Sequence, residues 1–217
     1  KCGSADMLED MGFKITSDTN ELENSLTNQN FCFLFAQNHH AAMKNVINVR
    51  KNLGTRTIFN LLGPLTNPAN AKIQLLGVYS KELVSMHCNC LKELGSERAL
   101  VVHGLDGLDE ISLSDKTLIN ELKDNKINEF VFDPKDYGYD YIKLEEIKGG
   151  NPDFNSYAFL DMINGNNEPY QNIVAINAGA AIYLSGKAKN LKEGFKIAHK
   201  VLDEGITKDF VYSVTNG

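Results

Sequence analysis

Apolar residues along the chain fall into two alternating patterns. Short continuous runs, Phe31-Cys32-Phe33-Leu34-Phe35, Ile73 to Tyr79 and Ala99-Leu100-Val101-Val102-His103, have the length and content of strands buried on both faces. Between them lie stretches of helical length, about His39 to Asn52, closed by Gly54, and Glu82 to Leu94. Strand, helix and strand with crossovers of this length predict an α/β class with a mainly parallel central sheet flanked by helices. Thr117 to Leu122 and Glu129 to Phe132 read as shorter strands, and about Asp153 to Ile163, Gln171 to Leu184 and Leu191 to Asp203 as three closing helices. Near the start, Ser4 is placed as the N-cap of a short helix stopped by Gly12, and Asn20 to Thr27 as a second helix. Arg56 to Leu62 reads as a further helical turn before a stiff Gly63-Pro64-Leu65-Thr66-Asn67-Pro68 segment, and Asp133 to Asn151 as a long surface connection. No internal repeat interrupts this plan.

Composition narrows the partners. A chain of 217 residues, 42% hydrophobic and 23% charged, can bury one full core. Its net charge of −6, with no basic stripe, argues against nucleic acid as a partner. Phosphorylated small molecules stay open, because a phosphate site is built locally from amides, a metal and a few cations. Cys2, Cys32, Cys88 and Cys90 lack zinc spacing and read as thiols in a reducing cytosol. No apolar run approaches the ~20 residues of a membrane span, and no signal peptide is visible, so a cytoplasmic protein without membrane contact is expected.

The segment from Val101 to Glu110 is the most suggestive for chemistry. An apolar strand runs into a glycine-punctuated turn, Gly104-Leu105-Asp106-Gly107-Leu108-Asp109-Glu110, holding three carboxylates. Ligands in open α/β sheets sit beyond the carboxyl ends of strands, and Mg²⁺ takes one or two carboxylates plus substrate phosphates, so Asp109 and Glu110 suit it. From spacing alone a solvated acidic turn is the better reading. His40, Met43, Ile47 and Arg50 fall on one face of the expected helix, and a guanidinium at Arg50 can hold a carboxylate bidentately or simply meet solvent. Ser4 lies at a helix start, where anions bind, although it can equally cap its own helix. The chain lacks a phosphate-binding P-loop, a dinucleotide glycine fingerprint and a serine-hydrolase elbow.

Longer blocks carry more information. Lys1-Cys2-Gly3-Ser4-Ala5-Asp6, Phe33-Leu34-Phe35-Ala36 and His40-Ala41-Ala42-Met43-Lys44 are followed by an unbroken stretch from Val49 to Pro68 that contains Arg56-Thr57-Ile58-Phe59-Asn60. Val101-Val102-His103-Gly104 and Gly107-Leu108-Asp109-Glu110-Ile111-Ser112 come after them. In these blocks and their order the chain resembles the anthranilate phosphoribosyltransferase family over nearly its whole length. The resemblance implies a nucleoside phosphorylase/phosphoribosyltransferase-like C-terminal domain. It also implies transfer of a phosphoribosyl group from phosphoribosyl diphosphate (PRPP) to anthranilate in tryptophan biosynthesis, with Mg²⁺ as cofactor.

Residue by residue, the resemblance assigns Arg50 to the anthranilate carboxylate, Ser4 to PRPP, and Asp109 and Glu110 to Mg²⁺. His40, Met43, Gly63 and Pro64 are assigned to the acceptor channel, and no residue is given an acid–base role. Two departures stand out. The family's amino-terminal helical domain and its G-T-G-G-D and K-H-G-N-R segments are absent, which implies a fragment of a two-domain enzyme, inactive alone. Residues 37–70 are then expected to belong to the helical domain, through which the intact enzyme would be a homodimer. The competing readings are a pyrimidine nucleoside phosphorylase-like enzyme and a non-catalytic or nucleic-acid-binding relative.

Overall fold

The computed structural model describes residues 2–35, 39 and 61–215. The chain divides into two compact units, one of Lys1–Asn70, Gly149–Tyr157 and Phe210–Gly217, the other of Ala71–Lys148 and Ala158–Asp209.

In the first unit, helix α1 spans Ser4–Asp10 and α2 spans Thr19–Gln29. Ser4 is not the cap expected of it. Gly3 occupies the N-cap position and donates its N–H to the Asp6 carboxylate at 2.7 Å, so the first turn is closed from inside the helix and the Ser4 side chain is left exposed. Asp18 caps α2 by accepting from the N–H groups of Asn20 and Glu21 at 2.8 and 3.3 Å. The run Phe31 to Phe35 is in no sheet ladder, contrary to its apolar pattern. Phe31 packs edge-on against Phe13 and Phe210, with ring centroids 5.5 and 5.9 Å away, so aromatic packing supplies the burial that strand pairing was expected to give. Leu61 and Leu62 are helical and lead into a 3-10 turn, Gly63–Leu65.

The second unit is built on a four-stranded sheet in the order β1 (Ile73–Gly77), β2 (Arg98–Gly104), β3 (Thr117–Lys123) and β4 (Lys126–Phe132). The α/β class holds, but the balance of pairings differs from the mainly parallel expectation. Only β1 and β2 run parallel, with Ile73 opposite Arg98 and Gly77 opposite Val102, joined through α3 (Glu82–Glu93). The link from Gly104 to Thr117 contains no helix, so β3 returns antiparallel. Asp124 and Asn125, with φ of 50° and 60°, then form the tight turn that sends β4 back beside β3.

Helices cover both faces, as the unbroken apolar strand predicted. Val84, His87, Cys88 and Leu91 are the buried stripe of α3. On the other side Leu100, Val102, Ile119 and Phe132 join Ile173, Ile176, Ala180 and Leu184 of α5 (Glu168–Leu184) and Phe195 of α6 (Leu191–Asp203) in one core. Each fully buried aliphatic or aromatic side chain there contributes roughly 1.5–3 kcal/mol. Arg98 fixes α5 to the sheet by donating to the last-turn carbonyls of Tyr183 and Leu184 at 3.1 and 2.8 Å.

Other boundaries shift for local reasons. α5 begins three residues before Gln171, because Asn167 caps it and Pro169 is tolerated in a first turn. α4 covers Pro152–Ile163, and α7, Ile206–Thr215, was not foreseen. The connection after β4 is less loose than its polarity suggested: it holds two 3-10 turns, and Tyr137, Tyr139, Ile142 and Ile147 pack on the core. No described helix is long and apolar enough to cross a membrane. The helix expected over His39 to Asn52 lies, apart from His39, outside the described residues.

Candidate functional site

The acidic loop leaves the sheet at the carboxyl ends of its two parallel strands. These ends are tied together: Val78 donates its N–H to the Val102 carbonyl at 3.0 Å, and the buried His103 ring approaches the Val78 carbonyl through Nδ1 at 2.8 Å. A carbonyl only accepts, so Nδ1 carries the proton. Beyond Gly104 the chain folds back on itself, with Gly104 N–H on the Leu108 carbonyl at 2.8 Å and Gly107 N–H on the Gly104 carbonyl at 2.9 Å.

The three carboxylates, equivalent in sequence, part company here. Asp106 is spent on structure. Its oxygens accept from the hydroxyls of Ser112 and Ser114 and from the Leu108 N–H at 3.1 Å, which pins both ends of the loop to one side chain. Asp109 and Glu110 are exposed and make no side-chain hydrogen bond or ion pair among the described residues. The Glu110 carboxyl is held above the ordinary carboxylate value, first by neighbouring protein atoms that withhold solvation, then by the like charges of Asp109 and Asp106. Its accessible area remains large, so this crowding is one-sided and leaves the carboxylate open to a ligand.

Backbone contacts hold the pair in place. A Cβ on Gly77 would overlap the carbonyl of Asp109, so the loop lies directly against the end of β1. On the other side, Asn177 of α5 accepts the Ile111 N–H at 3.0 Å and donates to the Ile111 carbonyl at 2.9 Å. Tyr170, about two turns before Asn177 on the same face of α5, is close enough for the charge of Glu110, after burial, to raise its phenol. Sequence reasoning overlooked Gly77 and Asn177. The signal for Asn177 was present, a lone amide in the apolar run from Ile173 to Leu184.

The donor set fits Mg²⁺. Two unpaired hard oxygen donors sit side by side at a sheet's carboxyl edge, and their mutual repulsion is relieved by a cation. No group of three or more His, Cys, Asp or Glu side chains converges among the described residues, so the pair is not a closed cage and leaves room for phosphate ligands. In the other unit, Ser4 is exposed in the first turn of α1, Gly63 is exposed, and Pro64 is half-buried in the 3-10 turn. Arg50, His40 and Met43 lie outside the described residues.

A sheet with one parallel strand pair, helices on both faces and an acidic pair at its carboxyl edge defines a class. Residues 1–208 match the glycosyl transferase family, α/β domain, and the chain belongs to that family. Among its relatives, the anthranilate phosphoribosyltransferase of Thermoanaerobacter sp. is 46% identical over 209 residues, covering 96% of this chain and 62% of the relative. The enzyme of that name from Methanobrevibacter smithii is 47% identical over 208 residues, covering 96% and 62%. The chain thus spans about 62% of the length of these curated relatives. The crystal structure of anthranilate phosphoribosyltransferase from Thermus thermophilus superposes with a TM-score of 0.91 at 37% identity, over 99% of this chain and 64% of that one. The Saccharomyces cerevisiae enzyme in complex with PRPP and Mg gives 0.85 at 28% identity, over 99% and 62%.

Proposed function

We propose that this chain is the α/β domain of an anthranilate phosphoribosyltransferase, which joins anthranilate to the ribose C1 of PRPP, giving N-(5-phosphoribosyl)anthranilate and diphosphate. The observation that carries the reading is the separation of the acidic loop into one structural carboxylate, Asp106, and two open ones, Asp109 and Glu110. Relatives bearing that name, and a yeast relative in complex with PRPP and Mg, support it. They lend no support to a phosphorylase or a nucleic-acid-binding protein.

In this reading the amine of anthranilate is already a nucleophile, so the protein orients it and accommodates the charge that leaves with diphosphate. Asp109 and Glu110 would hold Mg²⁺, whose contribution is to neutralise diphosphate oxygens. Neither carboxylate moves a proton. Ser4 contacts PRPP, Arg50 pairs with the anthranilate carboxylate, and Gly63 and Pro64, with His40 and Met43, line the acceptor's approach. A homodimer formed through a helical domain, and a cytoplasmic location, belong to the same reading.

The test uses an enzyme of the full length of the curated relatives, followed by the fall in anthranilate fluorescence. Glu110→Gln is expected to lower kcat/KM by roughly two orders of magnitude or more, the scale set by losing one group that stabilises departing charge. It should also shift the Mg²⁺ titration to higher concentration. An unchanged Mg²⁺ titration removes the assignment.

A further inference from the structure

We propose that Asn177 is a positioning residue for the Asp109–Glu110 pair, setting the direction of the Glu110 side chain toward a divalent cation and diphosphate. The proposal rests on the metal reading above and adds a residue outside the acidic loop to it.

The direction of a side chain is set by the two peptide planes that flank its Cα. For Glu110 both planes are held, by different elements. The Asp109–Glu110 plane carries the Asp109 carbonyl, which lies against Gly77 so closely that a Cβ there would overlap it. The Glu110–Ile111 plane carries the Ile111 N–H, which donates to Asn177 Oδ1 at 3.0 Å. Asn177 Nδ2 donates to the Ile111 carbonyl at 2.9 Å and to the Ile173 carbonyl, one turn back along α5, at 2.9 Å.

One N–H and two carbonyls surround this amide, so only one orientation satisfies all three. The amide therefore works as a fixed bracket between helix and loop. Ile111 itself is fully buried, which leaves no solvent to replace the bracket if it is lost. Asn177 stands in a helix whose neighbouring turns are apolar, Ile173, Ala175, Ile176 and Ala180 all being buried. An apolar residue there would leave the Ile111 N–H and carbonyl without a partner, so the amide serves the fold as well as the loop, and the test must separate the two.

Groups that orient metal ligands without touching the metal typically affect affinity ten- to a hundredfold. The experiment measures Mn²⁺ binding by an enzyme of the full length of the curated relatives in the presence of PRPP, as the excess of Mn²⁺ over a protein-free compartment in equilibrium dialysis. Asn177→Ala, which removes the bracket, and Asn177→Asp, which turns an oxygen toward two carbonyls, should each weaken Mn²⁺ by roughly ten- to a hundredfold. Ala180→Gly, on the same helix but with no side-chain hydrogen bond to the loop, is the control for lost stability. It should lower the melting temperature while leaving the Mn²⁺ affinity within about twofold.

Equal affinities for the Asn177 variants and the unmutated enzyme would overturn the proposal, as would an equal loss in Ala180→Gly. If the unmutated full-length enzyme binds no Mn²⁺ with PRPP, or Glu110→Gln binds it as well, the metal reading itself fails, which is a distinct result. Should both Asn177 variants fail to fold, amide exchange in the unmutated enzyme decides. The Ile111 N–H must be protected far beyond the neighbouring Asp109 and Glu110 amides, which have no acceptor among the described residues, and rapid exchange at Ile111 refutes the bracket.

Discussion

Two turns carry residues proposed for metal or substrate, and among the described residues they are held in different ways. In the acidic loop of the second unit, Gly104 and Gly107 bond within the loop, Asp106 gathers Leu108, Ser112 and Ser114, and Gly77 and Asn177 hold the planes on either side of Glu110. In the first unit, the Gly63–Leu65 turn carries a proline ring and is followed by Thr66, whose hydroxyl donates to the Leu62 and Gly63 carbonyls at 3.2 and 3.1 Å. Among the described residues a Cβ on Gly63 would meet nothing within 4 Å, whereas one on Gly77 would collide with backbone. Glycine at 77 is therefore required by the fold, and at 63 nothing in its described surroundings requires it.

Substituting the two glycines separates the two turns, and Gly77→Val carries the larger effect. The new side chain must displace the Asp109 carbonyl, a packing error worth about 1–3 kcal/mol and toward the upper end because backbone yields less than side chain. In a chain of this size that lowers the melting temperature by several degrees, at roughly 2–4 °C per kcal/mol. Mn²⁺ affinity in the presence of PRPP should fall with it. Scanning calorimetry that found an unchanged melting temperature would mean the loop does not rest on β1. Gly63→Ala should lie within about 0.5 kcal/mol of the parent in the same measurement, the range of substitutions that touch nothing. In a full-length enzyme it should instead raise the anthranilate KM. A stability loss above about 1 kcal/mol would show the turn to be packed after all.

What could be read from sequence follows from the range of the interactions. β2 and the stripe of α3 were legible because each repeats one local pattern over several residues. Asp109 and Glu110 were candidates from their adjacency past a strand end, and the resemblance raised them above a solvated turn, but neither showed that Asp106 is committed to the loop. That distinction depends on Ser112 and Ser114 folding back across the loop, which no periodicity records. Gly77 and Asn177 were missed for a related reason: their partners, Asp109 and Ile111, are 32 and 66 residues away, and each acts on backbone, which every residue possesses. The strand expected at Phe31 to Phe35 failed because a short aromatic run satisfies a strand ladder and a helix-packed cluster equally well. Phe13 and Phe210 made the choice.

The smallest expected effect tests the open half of the comparison. The folded Glu110 carboxyl sits above its ordinary value, so the folded state binds that proton more tightly than the unfolded chain does. Stability from this group is then fully present below the ordinary glutamate value of about 4.3 and is lost as pH rises through the raised folded value. Without metal, Glu110→Gln should therefore melt with the parent at the acid end and slightly above it at neutral pH. The difference stays small because the side chain is exposed and its repulsion is screened. Adding Mg²⁺ and PRPP should invert the order at neutral pH. The parent then gains RT ln(1 + [L]/Kd) from a ligand that the variant holds poorly. Acidification should erase that gain, because the carboxylate must be deprotonated to bind. A parent that is already the more stable protein at neutral pH without metal would mean that Glu110 has a favourable partner. The proposed contrast with Asp106, one carboxylate committed to the fold and its neighbour held ready for a cation, would then be wrong.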